Sequence, residues 1–178
     1  IPRGGQYRIV LSDKTEVSLN SESQLKYPVT FIEGKTRLVE LVYGEAYFNV
    51  SPSIENKGAE FKVVNQSQVI EVLGTEFNLK AYKDEDQIST TLVEGEVAIY
   101  INGEKQNLLP AQQAKWIPDT NSFTIDSDVN VYNEISWKNG VFSFDGKSLK
   151  EIMKIVSRWY NIEVFFLDKK VALSVRAL

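Results

Sequence analysis

From residue 7 to about residue 125, short apolar runs rich in Val, Ile, Leu, Phe and Tyr alternate with breaks of Gly, Asn, Asp and Pro, a pattern of many short strands. Val97, Ile99 and Ile101 alternate with Ala98 and Tyr100, which places three aliphatic side chains on one strand face. Asn102-Gly103 follows directly and suits the positive φ angles of a type I′ turn, so a hairpin is predicted whose return strand holds Leu108 and Leu109. Three segments, 38–50, 69–82 and 88–101, each read as strand, glycine, strand. Gly44, Gly74 and Gly95 fall where a strand bends or bulges at a corner. Their spacing is too irregular to establish a repeat. The predicted fold is mainly β: a twisted two-sheet β-sandwich or a solenoid-like stack of short strands.

The pattern changes at Trp137. Residues 141–144, containing Val141, Phe142 and Phe144, read as a strand, and Asp145-Gly146 as a turn. Ser148 and Glu151 have the spacing of a capping box. Leu149, Ile152, Met153, Val156 and Trp159 or Tyr160 then recur with helical periodicity. Asn161 suits the left-handed residue that closes a helix, and residues 162–167 read as a second strand. The division expected is a β-body over 1–136 and a small β-α-β unit over 137–178. Two strands are rarely stable alone, so that unit needs more chain or a docking partner.

Composition narrows the function. The 178 residues contain no histidine and no cysteine. This removes the commonest general base, the Ser-His and Cys-His nucleophile pairs, and any disulfide. No run approaches the ~18 apolar residues of a membrane span, and Ile1-Pro2-Arg3-Gly4-Gly5 lacks a signal-peptide core, so any targeting segment is expected to have been removed. The net charge of −4 is unevenly placed. Residues 1–136 carry 12 basic and 20 acidic side chains, residues 137–178 carry 8 and 4. An acidic body argues against a nucleic-acid partner.

Several residues invite a chemical reading. Glu45 and Glu96, each following a corner glycine, would form a hydrolytic carboxylate pair if they faced one cleft, but solvated corner residues are the default. Asp84-Glu85-Asp86 and Asp126-Ser127-Asp128 offer hard oxygen ligands without a complete calcium-loop pattern, and polar turns explain both. No catalytic residue, metal or cofactor is expected. Lys147, Lys150, Lys154 and Arg158 form a basic stripe on the helix, read either as a solvated face or as an electrostatic docking surface for an acidic partner. Trp116, Trp137 and Trp159 suggest a carbohydrate-binding β-sandwich as the alternative function, against core packing as the simpler account.

Beyond these local readings, an ordered series of strings runs along the chain. It begins with Ile1-Pro2-Arg3-Gly4-Gly5-Gln6-Tyr7 and Leu11-Ser12-Asp13-Lys14-Thr15-Glu16-Val17-Ser18-Leu19-Asn20. It continues through Gly44-Glu45-Ala46-Tyr47-Phe48-Asn49-Val50, Val72-Leu73-Gly74-Thr75-Glu76-Phe77-Asn78 and Leu92-Val93-Glu94-Gly95-Glu96-Val97. It closes on Trp137-Lys138-Asn139-Gly140-Val141-Phe142-Ser143-Phe144 and Ser157-Arg158-Trp159-Tyr160-Asn161. In this order the strings resemble FecR-type anti-sigma regulators over almost the whole chain. Lys14 stands where the family usually has a turn glycine, implying a looser turn, and Ser18 where an aromatic is frequent.

The resemblance implies a non-enzymatic periplasmic region of an inner-membrane protein, anchored through a helix outside this sequence. The partners it implies are the N-terminal signalling domain of a TonB-dependent outer-membrane transducer and, through a cytoplasmic segment also outside this sequence, an extracytoplasmic-function sigma factor. It likens the C-terminal unit to the secretin and TonB short N-terminal fold, of which roughly another β-α-β half is expected beyond Leu178. The candidate partner-binding residues are Val141, Phe142, Phe144, Lys150, Lys154 and Arg158.

Overall fold

A computed structural model describes residues 1–66 and 68–166, and residues 173–177 as backbone. Twelve strands form one curled sheet. They are β1 (Tyr7–Val10), β2 (Glu16–Leu19), β3 (Gln24–Lys26), β4 (Arg37–Asn49), β5 (Phe61–Asn65), β6 (Gln68–Val72), β7 (Glu76–Ala81), β8 (Ile88–Glu94), β9 (Val97–Ile101), β10 (Glu104–Leu108), β11 (Gln113–Ile117) and β12 (Ser122–Asp126). Their order is β10-β9-β6-β5-β4-β7-β8-β11-β12, with β3 and the β1–β2 pair joined at β4. β4 and β5 run parallel; the other pairings among the described residues are antiparallel. The mainly-β expectation holds, with the two layers being two ends of one sheet.

β4 shows how the sheet curls. Before Gly44 it pairs with β3 and β5, and from Gly44 onward with β7 and β2. Gly44 has φ +100°, and a β-carbon there would lie 2.2 Å from Ser23 Oγ and 2.4 Å from Ser23 Cα. Only glycine lets the strand cross from one layer to the other at this contact. Gly74 and Gly95 mark the corresponding crossings from β6 to β7 and from β8 to β9.

The core lies inside the curl. Phe48, Phe61 and Phe77 are fully buried, with Phe48 and Phe77 stacked at 4.9 Å between centroids. Burying each such ring contributes roughly 1.5–3 kcal/mol. Val97, Ile99 and Ile101 are buried as their alternation predicts, and the Asn102-Gly103 hairpin pairs β9 with β10 as far as Leu108, Leu109 lying beyond it. Lys14 does not loosen its turn. It takes the glycine-like φ of +71°, and the turn closes through Lys14 N–H to Leu11 O at 3.0 Å and Leu11 N–H to Thr15 O at 2.8 Å.

Beyond β12 come a short helix α1 (Val131–Ile135), a 3₁₀ turn (Ser136–Asn139), helix α2 (Leu149–Tyr160) and the antiparallel hairpin of β13 (Ile162–Phe166) and β14 (Leu173–Ala177). Ser148 and Glu151 form the predicted capping box, and Asn161 closes α2 at φ +50°. The predicted strand over 141–144 is not formed. Phe142 packs against Trp159 with its ring tilted, at 4.3 Å between centroids, and Phe144 stacks on Phe142 at 5.5 Å, while the Ser143 hydroxyl donates to Asn133. These side-chain anchors replace a sheet ladder, so the expected β-α-β unit is instead a helix followed by a β-hairpin. Leu167, the last residue of the predicted second strand, lies outside the described residues.

Candidate functional site

A cluster of buried polar groups lies where α2 meets the β-body. Glu45 follows Gly44 on β4 and is 7% exposed. Its carboxylate accepts from Asn20 Nδ2 at 2.8 Å and from Asn78 Nδ2 at 3.0 Å. Burial raises its pKa above the ordinary carboxylate value, opposed by the Lys80 ammonium and the two amide donors. Asn78 also accepts from the indole of Trp137 at 3.3 Å, which ties the 3₁₀ turn to β7.

Lys80, two residues along β7, ion-pairs with Glu85 at 2.6 Å. Burial alone would lower its pKa, but Glu85 and Glu45 outweigh that and hold it raised. The β7–β8 loop then presents Asp84 and Glu85 to α2. Arg158 Nη2 lies 2.5 Å from Asp84 Oδ1 and Nη1 2.8 Å from Glu85 Oε1, with the guanidinium 3.6 Å above the Tyr82 ring. Lys154 Nζ donates to the Asp84 carbonyl. Although Arg158 is buried, its proton is held more tightly than usual because Glu85, Tyr82 and Asp84 surround it.

Arg158 is 2% exposed, less than any apolar residue of α2, whose Leu149 and Tyr160 are 40% and 63% exposed. The helix therefore turns part of its basic face inward and leaves its apolar stripe half-covered. Lys154 and Arg158 are engaged by the acidic loop of this same chain, Lys147 pairs with Glu134 at 3.7 Å, and Lys150 is exposed. The sequence signal for this junction was the opposed charge of body and tail.

The other candidate chemistries separate. Glu45 lines the small cavity under α2, while Glu96 is exposed and lines a different cleft at the Gly74–Gly95 corner. Among the described residues the two carboxylates line separate clefts, which removes the carboxylate-pair reading. Trp116 is buried in the core at 5% exposure and Trp137 at 8%, and Trp159 is covered by Phe142. They form no open row for a sugar, so the carbohydrate-binding alternative loses its motivation. Asp84 and Glu85 are taken up by Arg158, Lys80 and Lys154.

Three of the clefts among the described residues bear on these readings. The cavity beneath α2, between Glu45, Lys80, Tyr82, Phe142 and Trp159, has about 50 Å³, room for a few waters. A cleft of about 330 Å³ runs between β1, β2, the far end of β4 and Lys138. Its charged groups are satisfied internally: Tyr47 donates to Glu76, Lys138 sits 3.6 Å over the Tyr47 ring, and Arg8 pairs with Glu16. The corner cleft, about 560 Å³, is floored by Leu108 and Leu109.

The junction is thus built for holding two parts of a chain together. Residues 1–98 match the FecR protein family and residues 141–175 the FecR C-terminal family. A solved Parabacteroides distasonis protein assigned as an anti-sigma factor superposes with a TM-score of 0.82 at 26% identity, covering 97% of this chain and 81% of that one. A second structure from that organism, assigned likewise, gives 0.74 at 20% identity, covering 100% and 97%, a likeness of fold. A local stretch of 61 residues, 34% of this chain, is 41% identical to flagellin of Salmonella enteritidis and of Salmonella montevideo, and spans 12% of either flagellin. The ordered strings, the curled sheet and the family matches converge: the chain belongs to the FecR family of anti-sigma factors.

Proposed function

We propose that this chain is the periplasmic signal-receiving region of a transmembrane FecR-type regulator, and that it relays the state of a TonB-dependent outer-membrane transducer to a cytoplasmic sigma factor. The observation that carries this reading is the half-covered C-terminal unit. Tyr160, Phe165 and Phe166 are each 47% or more exposed, and the two-stranded β13–β14 sheet is too small to be stable by itself. Along its other edge β13 has no partner strand among the described residues, so an incoming strand can extend the sheet. Val141, Phe142, Phe144 and Lys150 border this surface in the reading. Lys154 and Arg158 support it from behind by fixing α2 to the acidic loop.

Signalling here is a change of protein contacts and breaks no bond. A bound partner shifts the regulator only to the extent that it prefers one arrangement of the C-terminal unit over another. The test is a reporter for sigma-dependent transcription in cells carrying the full-length regulator. Phe165→Glu with Phe166→Glu is expected to abolish the response to inducer at an unchanged protein level. A response equal to wild type would overturn the reading.

A further inference from the structure

We propose that Arg158 and Gly4 form a latch tying residues 1–5 to the end of α2, so that drawing α2 away from the body releases that segment. The proposal rests on the receiving role given above to the C-terminal unit, and extends it to the route by which a docking event leaves that unit.

The main-chain half of the latch follows from helix chemistry. The last carbonyls of a helix have no partner within it. In α2 the Asn161 N–H bonds Ser157 O, while Arg158 O accepts from the Gly4 N–H at 2.7 Å. Residue 4 therefore caps the helix from outside. Gly4 is at φ +75°, and a β-carbon there would lie 3.6 Å from Asn161 Cβ and 3.7 Å from Trp159 O, so the segment rests directly on the helix end.

The side-chain half reaches the same segment by a second path. Besides Asp84 and Glu85, the Arg158 guanidinium faces Glu22, with Nε 3.8 Å from Oε2. The same Glu22 oxygen takes Arg3 Nε at 2.9 Å. Tyr82, under the guanidinium, donates to Ser21 O at 3.0 Å. Loop 20–23 in turn holds the segment, through Glu22 N–H to Pro2 O at 3.2 Å and Ser21 Oγ to Gly5 O at 2.8 Å. One residue thus grips residues 3–5 through its carbonyl and through its side chain. Because part of the inward side of α2 is held by charge pairs and its apolar stripe is half-exposed, a partner that takes that stripe can draw the helix outward without uncovering the core inside the curl of the sheet.

Amide hydrogen exchange on this chain tests the latch without any partner. Asp84→Asn with Glu85→Gln removes two of the three carboxylates facing Arg158 at constant volume, and is expected to speed exchange at residues 4–6 at least tenfold while β5 and β9 keep wild-type protection. Arg158→Lys, which cannot span both carboxylates, is expected to shift the same residues in the same direction. Unchanged exchange at 4–6 in the double variant, or equal loss of protection in β5 and β9, would overturn the latch. A second arm adds a purified transducer signalling domain from the same organism. Faster exchange at 4–6 on binding supports the latch, and binding that leaves 4–6 unchanged overturns it. Absence of binding counts against the receiving role, with the latch still decided by the first arm.

Discussion

The Arg158 guanidinium donates to the Glu85 carboxylate at 2.8 Å across 73 residues of sequence. Both side chains are largely withdrawn from solvent, at 2% and 15% exposure. A pair in this setting is weak support for net stability but expensive to break from one side, because the remaining charges stay desolvated.

Arg158→Ala is accordingly expected to destabilise the chain by about 3–5 kcal/mol, read as a shift in urea midpoint. Combining Arg158→Met with Asp84→Asn and Glu85→Gln should recover more than half of that loss, since no unpaired carboxylate is then left facing Tyr82 and Lys80 keeps the Glu45 charge beside it. Equal losses in the single and triple variants would show that neither the stranded carboxylates nor the lost arginine stem accounts for the cost.

The corner at Gly44 should tolerate no side chain. Gly44→Ala adds a β-carbon against the Ser23 main chain at a positive φ, so a loss on the order of 3 kcal/mol is expected. Gly103→Ala, also at positive φ but facing open space, should cost only about 1 kcal/mol. Thermal unfolding of the two variants side by side separates the clash from the backbone conformation common to both.

At residue 14 the strain runs the other way. Lys14 holds φ +71°, a conformation that costs an L-residue roughly 1–2 kcal/mol and glycine much less. Glycine also has more unfolded-state freedom to lose, so Lys14→Gly is expected to stabilise by about 0.5–1 kcal/mol in chemical denaturation. A destabilised variant would mean that the lysine side chain contributes contacts that outweigh the strain.

Two carboxylates give stability opposite pH slopes. The Glu45 pKa is raised above 4.5, so the folded state holds that proton more tightly, and its contribution is full below 4.5 and is lost as pH climbs toward the raised value. At Asp84 burial pulls the pKa up, but Arg158 and Lys154 outweigh it and leave it lowered from 3.8. Its contribution is full above 3.8 and is lost as pH falls through the lowered value. Urea midpoints across pH should show the high-pH slope flattened by Glu45→Gln and the acid slope flattened by Asp84→Asn. Parallel curves for wild type and both variants would exclude either group.

Much of this architecture was legible in local chemistry. Asn102-Gly103, the Ser148–Glu151 capping box and Asn161 each act through bonds within a few residues, so the sequence alone is sufficient there. The corner glycines were legible as corners, but that Gly44 presses on Ser23 depends on a contact 21 positions away. The segment containing Val141 and Phe144 misled because β-propensity reflects available neighbours, and its aromatics found Trp159 in place of a partner strand. Arg158 was hardest to place. Helical periodicity put it on a basic, solvent-facing stripe, whereas the acidic loop at 84–85 draws that part of the face inward. Opposed charges on body and tail pointed to such a contact without saying which residues make it.

The account is tested most directly by calorimetric titration of a purified transducer signalling domain into this chain. One-to-one binding at micromolar strength or tighter is predicted, weakened at least tenfold by Phe165→Glu with Phe166→Glu and unaffected by Lys105→Glu in the corner cleft. Absence of binding to the wild-type chain, or binding that the Phe165 and Phe166 substitutions leave intact, would contradict it.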